Sequence, residues 1–231
     1  MLQAFVFEKV GVVVGDLYFL DPNPHPGQEG PEHGVRLELR VFDRGDLKSS
    51  IYSAVPIAAG RPIWRVDLLE AVDGKPGSFN RTHHHPKFDG RWDPAARHFE
   101  RELSADPLGW LGSQLADLPG ILDRAEVPRD IADPSDAASL KEMAPAIVGA
   151  ASMMLDKVRA GELGRAPQDG AADATRSGWL KEIAPAIRNG LKEMEPAVVS
   201  AASMMLDRVR VRVLGRAPQG GAADAIRSGW L

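Results

Sequence analysis

"VRLELRVF", residues 35 to 42, alternates apolar and polar side chains without a break, and its reading decides the fold. In an extended chain Val35, Leu37, Leu39 and Val41 share one face, while Arg36, Glu38 and Arg40 share the other. Such a strand belongs to a sheet packed on one side and wet on the other, the habit of antiparallel sheets. The text around it agrees. "FVFEKVGVVV" (5–14), "DLYFL" (16–20), "SSIYSAVPI" (49–57) and "PIWRVDLLEAV" (62–72) are rich in Val, Ile, Phe and Tyr and are separated by turn residues, so each is read as a strand. "DPNPHPGQEGPEHG" (21–34) holds four prolines and three glycines and is read as an exposed loop.

The pattern changes at Asp93. "DPAARHFEREL" offers Asp93 as a cap and Pro94 as the first helical residue, which predicts a helix carrying His98. "DPLGWLGSQLADL" repeats the device with Asp106 and Pro107. Leu108, Leu111, Leu115 and Leu118 recur every three or four residues and should cover the sheet. Trp64, Trp92 and Trp110 are expected in the core. The fold class is therefore α+β, a mostly antiparallel sheet covered by C-terminal helices, in a domain spanning residues 1–125.

A linker over 126–140 and a duplicated helical tail over 141–231 are expected to follow. Residues 141–180 recur at 192–231, an offset of 51, with 31 of 40 positions identical, and a partial third start, "KEIAPAI", lies at 181–187. Each copy opens on an amphipathic helix. Ile147, Ala151, Met154, Leu155 and Val158 share its apolar face, matched by Val198, Ala202, Met205, Leu206 and Val209. Met suits irregular packing surfaces, so these faces pack on each other or on the domain, or mediate self-association.

The chain has 231 residues, 44% of them hydrophobic, enough for one full-sized domain. A formal charge of −4 gives no global basic field, which disfavours nonspecific nucleic-acid binding. There is no cysteine. Disulfides, thiolate metal sites and a cysteine nucleophile are excluded, and a reducing cytoplasm is the expected location. The apolar N-terminal run lacks a positive leading segment and is interrupted by Glu8, Lys9 and Asp16, so it reads as strand and not as signal peptide or membrane span.

The chemistry concentrates in "GSFNRTHHHPKFDG" (77–90), with three consecutive histidines. If residues 62–72 and 78–88 form a hairpin around "DGKPG", Asp67 lies opposite His83, Arg65 opposite His85 and Leu69 opposite Arg81. One face then gathers Arg65, Asp67, Arg81, His83 and His85. Trp64, Val66, Leu68, Thr82 and His84 take the other, which makes His84 an internal control. An aspartate facing an imidazole fixes its tautomer, and arginines offer bidentate donors to an anion.

Three functions fit, and the sequence reading takes the first, with binding without catalysis as its alternative and a metal-dependent enzyme as the second. His83 and His85 could act as base and acid in metal-independent RNA phosphodiester cleavage, with Arg65 or Arg81 stabilising the transition state. They could bind a divalent metal, with Asp67 or Asp89 as the carboxylate. The patch could bind an anion or a protein without catalysis, or be ordinary loop. No Walker loop, dinucleotide-binding glycine pattern, nucleophile elbow or zinc-protease motif is present.

Three resemblances add expectations. Pro76, Gly77, His83, His85 and Asp89 resemble the first cupin motif, which implies a divalent metal on His83, His85 and Asp89. "WRVD", "THHHP" and "DPLGWLGSQLADL", over roughly residues 60–120, resemble the layout of TumE-like toxins of toxin–antitoxin pairs; that likeness implies ribonuclease activity, with RNA and an antitoxin-like protein as partners. "GVVVGDLYFLDP", "IWRVDLLE" and "RTHHHPKFDG" together resemble an uncharacterised actinobacterial family over residues 1–125, which implies no activity.

Overall fold

The computed structural model of the protein describes residues 1–21 and 23–166 and, beyond them, the strand Val209–Val213. Strands β1 (Leu2–Val6), β2 (Val10–Leu20), β3 (Pro31–Arg44), β4 (Ile57–Ala71) and β5 (His83–His85) form an antiparallel sheet in the order β5-β4-β3-β2-β1. The alternating octapeptide lies inside β3, near the middle of the sheet. Val209–Val213 runs parallel to β1 at the far edge.

Two strand boundaries differ from the sequence expectation. "FVFEKVGVVV" is not one strand: it holds the end of β1, a turn and the start of β2, and the turn is closed by Phe7 N–H donating to the Val10 carbonyl at 2.9 Å. The amides of Glu8 and Lys9 at that turn donate to the Asp136 carboxylate at 2.8 and 3.2 Å, a partner 128 and 127 residues away that local sequence cannot reveal. "SSIYSAVPI" is mostly the connection from β3 to β4, with Ile51 and Tyr52 exposed. Its serines favour turn geometry over a ladder, and Ser53 N–H donates to the Ser50 carbonyl.

The helix expected from Pro94 is absent. Asp93–Pro94 forms β7, paired with β6 (Phe88–Asp89), and His98 exchanges both backbone hydrogen bonds with His84, at 2.9 and 3.0 Å. Pairing beside β5 satisfies amides that a cap signal alone would have turned inward, so the tertiary ladder wins. Helix α1 is confined to Arg101–Ala105. Helix α2 (Pro107–Leu115) begins as expected, with the Asp106 carboxylate accepting from Gly109 N–H at 3.0 Å. It stops before Leu118, because Asp117 caps a separate helix α3 (Leu118–Arg124) through Gly120 N–H.

After a 3-10 turn at Arg129–Ile131, helix α4 runs over Asp136–Arg159. It starts inside the segment read as a linker, and the core does not end at residue 125. Leu140, Ala144, Ile147, Ala151, Met154 and Leu155 join Val10, Val12, Val14, Leu37, Val66, Leu111 and Ile121 in one buried cluster. Polar ties hold both ends of α4. Asp136 is buried at the first, and Arg159 meets Glu70 at 2.6 Å at the second. The apolar face of the first repeat's helix is thus turned onto the sheet. The matching face of the second copy lies outside the described residues, apart from Val209, which begins a strand there. Among the described residues no helix is long and apolar enough to cross a membrane.

Candidate metal centre

The face of β3 expected to be wet is buried. Glu38 is 0% exposed and Arg40 3%, and opposite them on β4 Asp67 is 1% exposed and Arg65 7%. Charge complementarity across the strands explains how these groups leave water. Arg36 faces Asp67 and Glu38 faces Arg65 in the β3–β4 register. Arg36 donates from Nε and Nη2 to the two Asp67 oxygens at 2.7 and 3.0 Å. Glu38 accepts from Arg65 Nε at 2.8 Å and from Arg40 Nε at 2.7 Å. The Phe88 ring covers the Arg65 guanidinium at 5.1 Å from its centroid. Trp92, expected in the core, is partly exposed, with its ring 5.9 Å from Arg40.

These pairs move the carboxyls in a defined direction. Burial alone would raise Asp67, but the Arg36 guanidinium, paired with both of its oxygens, holds it well below the usual carboxylate range. Glu38 behaves alike: burial raises it, and Arg65, Arg40 and Arg36 together bring it below its ordinary value.

The histidine register is the one the hairpin predicts: Asp67 pairs with His83, Val66 with His84 and Arg65 with His85. His83 and His85 point to the charged face and are 2% and 5% exposed. Their tautomers follow from their partners. His83 Nδ1 lies 2.8 Å from the Arg81 carbonyl and His85 Nδ1 2.6 Å from the Ala95 carbonyl. A carbonyl only accepts, so each Nδ1 carries a proton. In the neutral ring Nε2 then bears a free lone pair, and both Nε2 atoms face one oxygen, Asp67 Oδ2, at 3.4 and 3.7 Å.

Two imidazole nitrogens and a carboxylate oxygen therefore converge, all within 4.8 Å of one another. Tetrahedral bonds of about 2.1 Å would set such atoms about 3.4 Å apart, close to the 3.4 and 3.7 Å between the two Nε2 atoms and Asp67 Oδ2. Backbone carbonyls holding the remote ring nitrogens, and an arginine orienting the carboxylate, are the outer contacts that metal-binding histidine and aspartate use. Each carboxylate oxygen has two lone pairs, so Arg36 leaves Asp67 able to coordinate.

Other expected site residues lie elsewhere. Asp89 is exposed on the β6–β7 hairpin opposite Asp93 and is not among the converging groups; the carboxylate is Asp67. Arg81 turns away toward the loop over 21–30, donating to the Gly27 and Glu29 carbonyls. Arg65 is held by Glu38. His84 faces the apolar side as expected but is no silent control: its Nε2 meets Glu100 Oε1 at 2.9 Å, its ring lies 5.1 Å from Trp110, and burial lowers its pKa against the opposing pull of Glu100. Reading the β3 polar stripe as solvated hid Arg36 and Glu38. The signal was available in the opposite charges of "RLELR" and "WRVD", which an antiparallel pairing brings face to face.

No protein-family model, curated protein or solved structure matches this chain.

Proposed function

We propose that this protein is a metal-dependent enzyme whose centre is a divalent transition-metal ion held by Asp67, His83 and His85. One observation carries this reading: two Nε2 atoms, their tautomers set by carbonyls on Nδ1, aim at the same carboxylate oxygen. Two histidines and one carboxylate suit Fe, Mn, Co, Ni or Zn, and three protein ligands leave a position for water or a small substrate.

Titration of chelator-stripped protein with Zn²⁺, Co²⁺ or Mn²⁺, followed by calorimetry, should give one site per chain. At a hundredfold excess over Kd the ion should add about 2.7 kcal/mol of stability. His83→Ala and His85→Ala should each weaken binding by more than about 100-fold, since loss even of an outer contact costs about 10- to 100-fold. Wild-type affinity in both variants would sink the proposal.

Toxin-like RNA cleavage uses the same imidazoles without a metal, and an antitoxin-like partner belongs with it. That reading predicts cleavage that survives EDTA and follows a bell-shaped pH profile. It needs imidazoles and arginines that RNA can reach, whereas His83 and His85 are buried and Arg65 and Arg81 are engaged with other groups.

A further inference from the structure

The carboxylates around the proposed ion are already neutralised before any ion arrives. Arg36 donates to both Asp67 oxygens, at 2.7 and 3.0 Å. Arg65 meets one Glu38 oxygen through Nε and Nη2, at 2.8 and 2.6 Å. Glu32, the other buried carboxylate of this face of β3, is opposed by Arg81 and Arg97 at 3.8 and 3.9 Å. Ligating histidines are neutral. A divalent ion on Asp67, His83 and His85 therefore adds two positive charges that these carboxylates do not balance. Uncompensated charge in a face that water hardly reaches is costly, so the ion needs a counter-anion.

Two guanidiniums stand where such an anion would sit. Arg36 pairs with Asp67 across β3 and β4. Arg65 lies opposite His85 and, two residues from Asp67, on the same side of β4. Among the described residues neither arginine makes a hydrogen bond through Nη1, so each keeps donors for an oxygen acceptor. Of the side chains that surround the centre, Arg36 is the most accessible, at 13% against 1% for Asp67. A molecule entering from solvent meets a guanidinium first.

We propose that the substrate of this centre is a small oxyanion, with one oxygen on the ion and another accepting from Nη1 of Arg36 or Arg65. This rests on the metal reading above and names the substrate class for it. Carboxylate and phosphate groups share the required chemistry, since each offers negative charge and at least two acceptor oxygens that a guanidinium matches. Burial of the centre restricts the anion to a small one.

The test loads chelator-stripped full-length protein with Co²⁺ and follows its visible absorption during titration with malonate, inorganic phosphate and, as an uncharged ligand, imidazole. Both anions should shift the bands and bind at least about 10-fold more tightly than imidazole, the least that one charge-assisted hydrogen bond supplies. The tighter of the two shows whether the natural group is a carboxylate or a phosphate. Arg36→Lys and Arg65→Lys keep the charge but lose the planar donor pair. At least one should weaken anion binding by about 10- to 100-fold, which identifies the donor.

A merely structural arginine would lower the urea midpoint of its variant and leave anion affinity unchanged. Should either variant not fold, the comparison of anions with imidazole on wild type still decides. Co²⁺ binding with no response to either anion, imidazole binding as tightly as both, or wild-type anion affinity in both lysine variants overturns the inference and leaves the metal centre standing. Failure of wild type to bind Co²⁺ overturns the centre itself and the substrate class with it.

Discussion

A chain ending at residue 125 is expected to be unfolded, whereas one ending at residue 166 folds cooperatively. The shorter chain keeps every strand from β1 to β5 and helices α1 to α3, and by sequence it is the whole domain. What it loses is the buried side of α4: Leu140, Ile147, Met154 and Leu155 are each at most 2% exposed and pack into the cluster that backs β2 and β3. Truncating one buried aliphatic side chain to Ala costs about 2–5 kcal/mol, and four together, about 8–20 kcal/mol, match or outweigh the roughly 5–15 kcal/mol that holds a typical domain folded. Asp136 goes too, leaving the Glu8 and Lys9 amides without their acceptor. Thermal unfolding followed by circular dichroism checks this, and a sharp transition in the 1–125 chain would show that α4 is an accessory.

Asp67→Asn should destabilise the metal-free protein by about 3–5 kcal/mol, the cost of removing one partner from a buried ion pair. Arg36 would keep its charge in a face that Asp67 now neutralises from 2.7 and 3.0 Å. The amide can accept only one of the two guanidinium bonds, and its NH₂ group would point a donor at Arg36, His83 or His85. Urea denaturation at neutral pH measures the loss. The same change removes the anionic ligand of the proposed centre, so stabilisation by added Zn²⁺ should disappear as well.

The acid limb gives that prediction a second readout. Asp67 and Glu38 both have folded-state pKa values below their unfolded ones, so the folded protein binds fewer protons and stability rises with pH. Their contribution is complete above the unfolded values of about 4, and it is lost as pH falls through that point toward the folded values. Wild-type stability should drop steeply below about pH 4. Asp67→Asn should drop less steeply, retaining only the Glu38 share, and an acid limb of unchanged slope would mean that Asp67 is not the group responsible.

The candidate site was legible to the extent that it depends on two neighbouring strands. Period-two alternation and a turn of strong local chemistry at residues 73–77 together place His83 and His85 across from Asp67 and Arg65, and those pairs are the ones observed. The choice of carboxylate was not legible. Asp89 is four residues from His85 in the chain, but the β6–β7 hairpin carries it to the surface. Asp67 is sixteen residues from His83, yet the ladder sets it alongside.

By itself the sequence determined the antiparallel sheet, the apolar faces of β3 and α2, the Asp–Pro start of α2 and the partition of the three histidines, because each follows from local periodicity or capping. Tertiary structure decided whatever depends on partners distant in the chain. It buried the polar stripe of β3 by matching Arg36 with Asp67 and Glu38 with Arg65. It replaced a well-capped helix at Pro94 by a bridge from His98 to His84, and it drew the first copy of the repeat into the core as α4. Alternation reports that two faces of a strand differ. Whether the polar one meets water or a complementary set of charges is settled only when another strand and a covering hairpin arrive, since burial of a charge is tolerable only where its partner is already in place.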